Sequence, residues 1–226
     1  MSNASAHHTV IVAITGGSGA GKTTVADALR VALAPHAVAI LREDDYYQDN
    51  AATPDFDAAT FNFDHVETRD HALLADHLAA LKSGRAIDMP RYDFVRHARM
   101  PERVRLEATS VVIVEGTHVL HPPELRAIYD LSLYLDIPDD IRLTRRMQRD
   151  VAERGRSVET VTRQYLGTVR PMHYRFTDPA RLHAHRVIAF DDDTLAADNA
   201  VQMEKLQEIV RAVSRTVLKR LTLPAT

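Results

Sequence analysis

VIVAITGGSGAGKTT, Val10 to Thr24, is the stretch from which the rest of this chain can be placed. Val10 to Ile14 is a β-branched apolar run of the kind a buried strand needs, and Thr24 to Leu33 follows an alanine-rich helical pattern. Between them Gly16, Gly21, Lys22 and Thr23 meet the spacing G-x-x-x-x-G-K-[ST]. Four of the eight glycines fall in this short run, so backbone freedom is concentrated where peptide N–H groups must wrap a polyphosphate. The cradle comprises Gly16, Gly17, Ser18, Gly19, Ala20, Gly21, Lys22, Thr23 and Thr24. In such a loop the N–H groups and the helix N-terminus hold phosphates, Lys22 reaches the β and γ groups, and the Thr23 hydroxyl takes one Mg²⁺ position. Strand, loop and helix in this order imply a kinase or nucleotide hydrolase.

With 226 residues the chain suits one α/β domain carrying an insertion, residues 9–221, between a frayed N-terminus (1–8) and a short tail (222–226). The opening MSNA reads as an expression scar, and His7 and His8 as frayed terminus, not metal ligands. A formal charge of −3 argues against a nucleic-acid coat, so anion binding must come from local clusters. The lack of cysteine excludes disulfides, cysteine zinc sites and thiol catalysis. No apolar run spans a bilayer and no signal peptide is evident, so a soluble, cytoplasmic protein without a membrane partner is expected.

Further strands are expected at Ala37–Leu41, Ser110–Gly116, Leu131–Ile137 and His185–Phe190. Ala37–Leu41 leads into Glu43, Asp44, Asp45, Tyr46 and Tyr47, and carboxylates at a strand's C-terminal end face the crevice of an open parallel sheet. SVVIVEG reads as a strand buried on both faces, and Glu115 then stands where P-loop proteins place an acid beside Mg²⁺. Val66–Leu81 has helical spacing, with Asp64 as its candidate cap and Leu73, Leu74, Leu78 and Leu81 on one side. Residues 85–107 contain two extended runs that can pair as a hairpin over the crevice, bearing Tyr92, Phe94 and His97 for a flat ligand. Arg142, Arg145, Arg146 and Arg149 share helical spacing, and Arg154 and Arg156 follow; six arginines in an acidic protein suit a mobile lid over residues 142–165 closing on transferring phosphate. Ser157 begins a further helix toward Pro171, Asn199–Leu221 is an amphipathic C-terminal helix, and Asp191–Asp193 read as a solvated turn.

Together GGSGAGKTT, EDDYY, FNFDH, PRYDFVRHAR, VVIVEG, RRMQRDVAERGR and QYLGTVRPMH resemble, in order, the uridine kinase (uridine-cytidine kinase) family of P-loop nucleoside kinases, over roughly Val10 to Val187. The resemblance implies a P-loop NTPase-type doubly wound parallel sheet with a β-hairpin insertion and an arginine-rich lid. It implies transfer of phosphate from ATP or GTP, with Mg²⁺, to the 5′-hydroxyl of uridine or cytidine, by a homo-oligomer. By position the base falls on Asp44, beside Tyr47, and Asp64 matches the ribose-diol ligand after Phe63. Tyr92, Phe94 and His97 match the base pocket; Arg146, Arg149, Arg154, Arg156 and Gln164 match lid and substrate contacts; Thr23 and Glu115 match the Mg²⁺ pair. The chain departs from the family at FNFDHV, where proline usually follows the histidine. Alternation along the strand does not separate Asp44 from Asp45. A P-loop kinase of a non-nucleoside hydroxyl, or a nucleotide-driven switch, is the alternative; no NKxD guanine-reading motif occurs.

Overall fold

The structure, a computed structural model, describes residues 9–50, 56–58, 60–190 and 199–222. The expectations for MSNA, His7, His8, Asp191–Asp193 and residues 223–226 lie outside the described residues. Five parallel strands form the main sheet: β1 (Val10–Gly16), β2 (Val38–Arg42), β7 (Val111–Glu115), β8 (Leu131–Asp136) and β9 (Arg186–Ala189), in the order β2-β7-β1-β8-β9. All residues of β1 and β7 are buried, as their continuous apolar sequence requires of strands covered on both faces.

Alternate side chains of β1 feed two cores. Val10, Val12 and Ile14 pack with α1 (Lys22–Ala32) and the C-terminal helix α7 (Asn199–Leu221), whose Leu206, Val210, Val213 and Val217 are buried. Ile11 and Ala13 face α2 (His71–Lys82) and the short α3 (Pro123–Arg126), through Leu74, Leu78, Leu81 and Leu125. The connection from β1 leads beyond β7 to β2, whereas β7 connects to β8 on the other side of β1. The C-terminal ends of β1 and β7 therefore flank a topological switch point, where ligands bind open α/β sheets.

The hairpin region consists of two antiparallel pairs, β3 (Ile87–Met89) with β6 (Val104–Leu106) and β4 (Tyr92–Asp93) with β5 (Ala98–Arg99). After β8 come α4 (Asp139–Arg154) and α5 (Val158–Gln164), the latter continuing through a π-helical turn (Tyr165–Val169), α6 (Arg170–Met172) and a second π-helical turn (His173–Thr177). Pro171 lacks an N–H and would crowd the preceding turn of a straight α-helix, and the wider turn ahead of it relieves both problems.

The helix expected from Val66 starts later. Val66–Thr68 is a single 3₁₀ turn, and the Asp70 carboxylate caps α2 by accepting from the Leu73 N–H at 3.0 Å. Asp64 caps nothing. The break at residues 68–70 arises because this segment runs beside 46–48: the Gln48 N–H donates to the Thr68 carbonyl (2.9 Å) and the Asp70 N–H to that of Tyr46 (2.8 Å).

Leu78 lies wholly inside the α2-side core. Leu78→Ala is expected to cost about 2–5 kcal/mol of unfolding free energy in urea titration; a change below about 1 kcal/mol would contradict a close-packed core there.

Candidate active site

The cradle after β1 is shaped by contact with α4. Gly19 has φ +84°, and a Cβ there would come within 2.3 Å of the Arg142 carbonyl oxygen, so neither backbone nor space admits a side chain. Arg142 itself is buried; its Nε donates to the Ile137 carbonyl (2.9 Å) and its guanidinium pairs with Asp139. Lys22 Nζ donates to the carbonyls of Gly16 (3.0 Å) and Gly17 (3.1 Å). Burial lowers its pKa, against the opposing pull of Glu115, Asp44 and Glu43. Those opposing groups bring the lysine and the strand-end carboxylates into one electrostatic unit.

Thr23 and Glu115 meet directly: the hydroxyl donates to Oε1 at 2.9 Å. Burial raises the Glu115 pKa, and Lys22 and the Thr23 hydrogen bond draw it back. Two hard oxygens at the foot of a phosphate cradle fit Mg²⁺, which takes its remaining ligands from water and phosphate. Among the described residues no group of three or more His, Cys, Asp or Glu is placed to hold a metal on protein ligands alone.

Across the crevice, β2 ends in a 3₁₀ turn, Glu43–Tyr46. Its three acids diverge. Glu43 is wholly buried, accepting from the His118 N–H at 3.0 Å and pairing with His71 Nε2 at 2.7 Å. Gly116 makes room for it, since a Cβ there would lie 2.3 Å from the Glu43 Cβ. Asp44 is half-exposed and faces Lys22, Glu115 and Arg69. Asp45 lies near Arg42 and Arg91, and burial raises its pKa. The strand-end geometry therefore distinguishes the neighbours that alternation left equivalent: Asp44 faces the cradle.

Tyr47, Phe63, Tyr92, Phe94 and His97 form an aromatic box beside Asp44. Tyr47 lies 5.0 Å from Tyr92 and 6.1 Å from Phe63 between ring centroids, and His97 stacks on Phe63 at 4.6 Å and 28°. Phe94 is largely exposed at the rim. His97 takes a left-handed conformation, φ 54°, after a turn in which Asp93 Oδ1 accepts from the N–H groups of Val95 and Arg96. The Tyr92 hydroxyl is buried with no hydrogen-bond partner among the described residues, and burial pushes its pKa up to about 12. Asp64, adjoining the box, accepts from the Thr168 hydroxyl at 2.7 Å through Oδ2.

The arginines divide. Arg142 and Arg146 are buried toward the cradle, with Arg146 donating to the Ser18 hydroxyl (2.8 Å) and Gln164 Oε1 (2.9 Å). Arg145, expected on the same face, instead reaches Gln202 of α7 at 3.4 Å, because it adjoins Arg146 in sequence and points about 100° away. Arg146, Arg149, Arg154 and Arg156 all approach the buried Asp150 carboxylate, at 3.6, 2.8, 3.4 and 3.7 Å. Arg156 also donates to Gln164 Oε1 at 2.7 Å.

Four residues gain importance only here. Asp150 read as one acid in a charged helix, and Thr168 carried no signal. His118, whose Nε2–H donates to the Asp64 carbonyl (2.9 Å), was one unassigned histidine among twelve. Arg69 follows the FNFDHV departure from the family pattern and fell inside the helix expected from Val66, where nothing in the sequence set it apart.

The profile of the Phosphoribulokinase / Uridine kinase family matches residues 11–196, and the chain belongs to that family. The uridine kinase of Chloroflexus aggregans is 43% identical over 175 residues, 77% of this chain and 84% of that protein. The uridine kinase of Staphylococcus epidermidis is 38% identical over 204 residues, 90% and 98% of the two chains. A D-glycerate 3-kinase structure from Cryptococcus neoformans var. grubii shares the fold at TM-score 0.55 and 18% identity, covering 76% of this chain and 80% of its own. The chain is a phosphotransferase on a P-loop kinase fold. Among the described residues no helix is long and apolar enough to cross a membrane.

The buried Glu43–His118 unit makes stability depend on pH. Burial holds the His118 imidazole down at about 3, from an ordinary 6.5. Between those values the unfolded chain binds more protons, so stability falls as the pH drops through this window. For Glu43, burial pushes the pKa up, but the His71 hydrogen bond and the charges of His71 and Arg69 outweigh it, holding the carboxyl well below its usual range. Its contribution is present above the ordinary carboxylate range and is lost only as the pH falls below it. His118→Gln keeps a donor for the Asp64 carbonyl and is expected to flatten the dependence between about pH 6.5 and pH 4 in urea titrations. An unchanged slope would remove His118 from that role.

Proposed function

We propose that this member of the phosphoribulokinase/uridine kinase family phosphorylates uridine or cytidine at the 5′-hydroxyl, with ATP or GTP and Mg²⁺, giving UMP or CMP for pyrimidine salvage. The observation that carries the reading is the juxtaposition of Asp44 and Asp64 with the aromatic box, across the crevice from the phosphate cradle. The names of the similar uridine kinases support the same acceptor.

In this reading the base enters between the hairpin rings and Phe63, displacing the His97–Phe63 stack, with His97 and the Tyr92 hydroxyl meeting its polar edge. Asp64 accepts from the ribose hydroxyls. Losing one would leave a lone pair of the half-buried Asp64 carboxylate unmatched beneath the bound sugar, which discriminates against deoxyribose. The 5′-oxygen attacks the γ-phosphorus in line, its proton passes to the Asp44 carboxylate, and the bond to the β–γ bridging oxygen breaks, the nucleoside diphosphate leaving. Lys22 offsets charge on the β and γ phosphates, and Arg149 and Arg154, less enclosed than Arg146, swing from Asp150 toward the transferring group as the lid closes. Arg146, Arg156 and Gln164 hold the lid against the cradle and substrate. Thr23 and Glu115 would hold Mg²⁺, which would supply further charge neutralisation on the donor.

ADP release from ATP and Mg²⁺ is expected with uridine or cytidine and not with deoxycytidine, adenosine or no acceptor; release without acceptor would favour a hydrolase. Asp44→Asn, still binding nucleotide, is expected to lose roughly 10²- to 10⁴-fold in kcat. His97→Ala is expected to raise KM for the nucleoside far more than KM for ATP, and equal effects would move His97 out of the base pocket.

A further inference from the structure

We propose that Arg69 is the positioning residue of the acceptor site, one buried cation that sets both the carboxylate of Asp44 and the peptide group preceding Asp64. The proposal rests on the nucleoside-kinase reading above. Arg69 sits between the 3₁₀ turn and the Asp70 cap of α2, in the short stretch that pairs with residues 46–48. That pairing lays its guanidinium over the Tyr47 ring, with Cζ 4.1 Å from the centroid.

From there the fork reaches two parts of the site. Nη2 donates to Asp44 Oδ1 at 3.3 Å, and Nη1 donates to the Phe63 carbonyl at 2.6 Å and the Thr68 hydroxyl at 2.8 Å. The Phe63 carbonyl, which also accepts from the Tyr47 hydroxyl at 3.0 Å, forms the peptide bond to Asp64. The Arg69 side chain is 4% exposed and that of Asp44 56%, so a fixed cation tethers a carboxylate that would otherwise rotate freely at the crevice surface. With Oδ1 engaged, Oδ2 remains to receive the proton of the acceptor hydroxyl. Among the described residues Arg69 Nε is buried without a hydrogen-bond partner, so the fold keeps the fork in a pose that satisfies its two outer nitrogens and not the inner one.

Only a planar fork serves both partners. A lysine at this position can hold Asp44 or the carbonyl, but it cannot span the two. This separates positioning from simple structural support. Arg69→Met is expected to lower kcat roughly 30-fold and raise nucleoside KM about tenfold, with donor KM within about twofold. Arg69→Lys is expected to recover kcat to within about fivefold of wild type while nucleoside KM stays raised. In an Asp44→Asn background, replacing Arg69 by Met, or by Lys where Met prevents folding, is expected to lower kcat by less than about threefold further.

Parallel changes in kcat and both KM values, or losses in kcat that multiply in the double variant, would overturn the assignment. The kinetics are run on whichever hydroxyl acceptor wild type turns over. A wild type that ignores uridine and cytidine but phosphorylates another acceptor therefore sinks the nucleoside reading while still testing Arg69. Hydrolysis with no acceptor at all sinks both.

Discussion

A parallel sheet covered on both faces can offer polar chemistry only where its strands stop. Everything reactive in this protein is arranged around that constraint. β1, β2 and β7 end in the cradle, in the Glu43–Asp45 acids and in Glu115. Register pairs Ile14 with Glu115 and Glu115 with Arg42, so the three ends are level, and the cradle, the Thr23–Glu115 pair and the acidic turn open into one crevice. The apolar interiors of the strands fix where those ends lie, and the two cores keep them there.

Placing so many ionised groups together requires internal compensation. Glu43 is held from behind by the hydrogen bond to His71 and by proximity to Arg69, and Lys22 is set against Glu115 and Asp44. On the other side of the cradle, four guanidiniums converge on the single carboxylate of Asp150, a local excess of three positive charges (four minus one) in a chain of net charge −3. Asp150 keeps those arginines gathered without satisfying them, which leaves attraction for a polyphosphate.

The parts legible in the sequence are those whose chemistry is local. The cradle, the Thr23–Glu115 pair and the order of strands follow from runs of a few residues with strong pattern. The aromatic box was legible as a composition of the hairpin, but its stacking partner Phe63 lies some thirty residues earlier, joined to His97 only by the fold. What escaped is long-range or depends on competition. Whether Asp64 caps a helix or faces the crevice depends on Asp70 capping more effectively, and the Thr168–Asp64 bond spans 104 positions. Spacing placed Arg145 with its neighbours at the edge of their face, and its contact with Gln202 shows that it turns to α7.

The close approach of Gly19 to the Arg142 backbone has a mechanical consequence. It clamps one end of α4 to the phosphate cradle, while the residues beyond Asp150 at the other end are exposed. The helix is thus a lever with its fulcrum at Arg142. Twelve residues separate that fulcrum from Arg154, roughly 18 Å of arm at the usual rise. A tilt of about five degrees carries the far tip through roughly 1.5 Å while barely disturbing the clamped end. Such rotation leaves the cradle's shape intact, whereas sliding the helix would drive its backbone into Gly19.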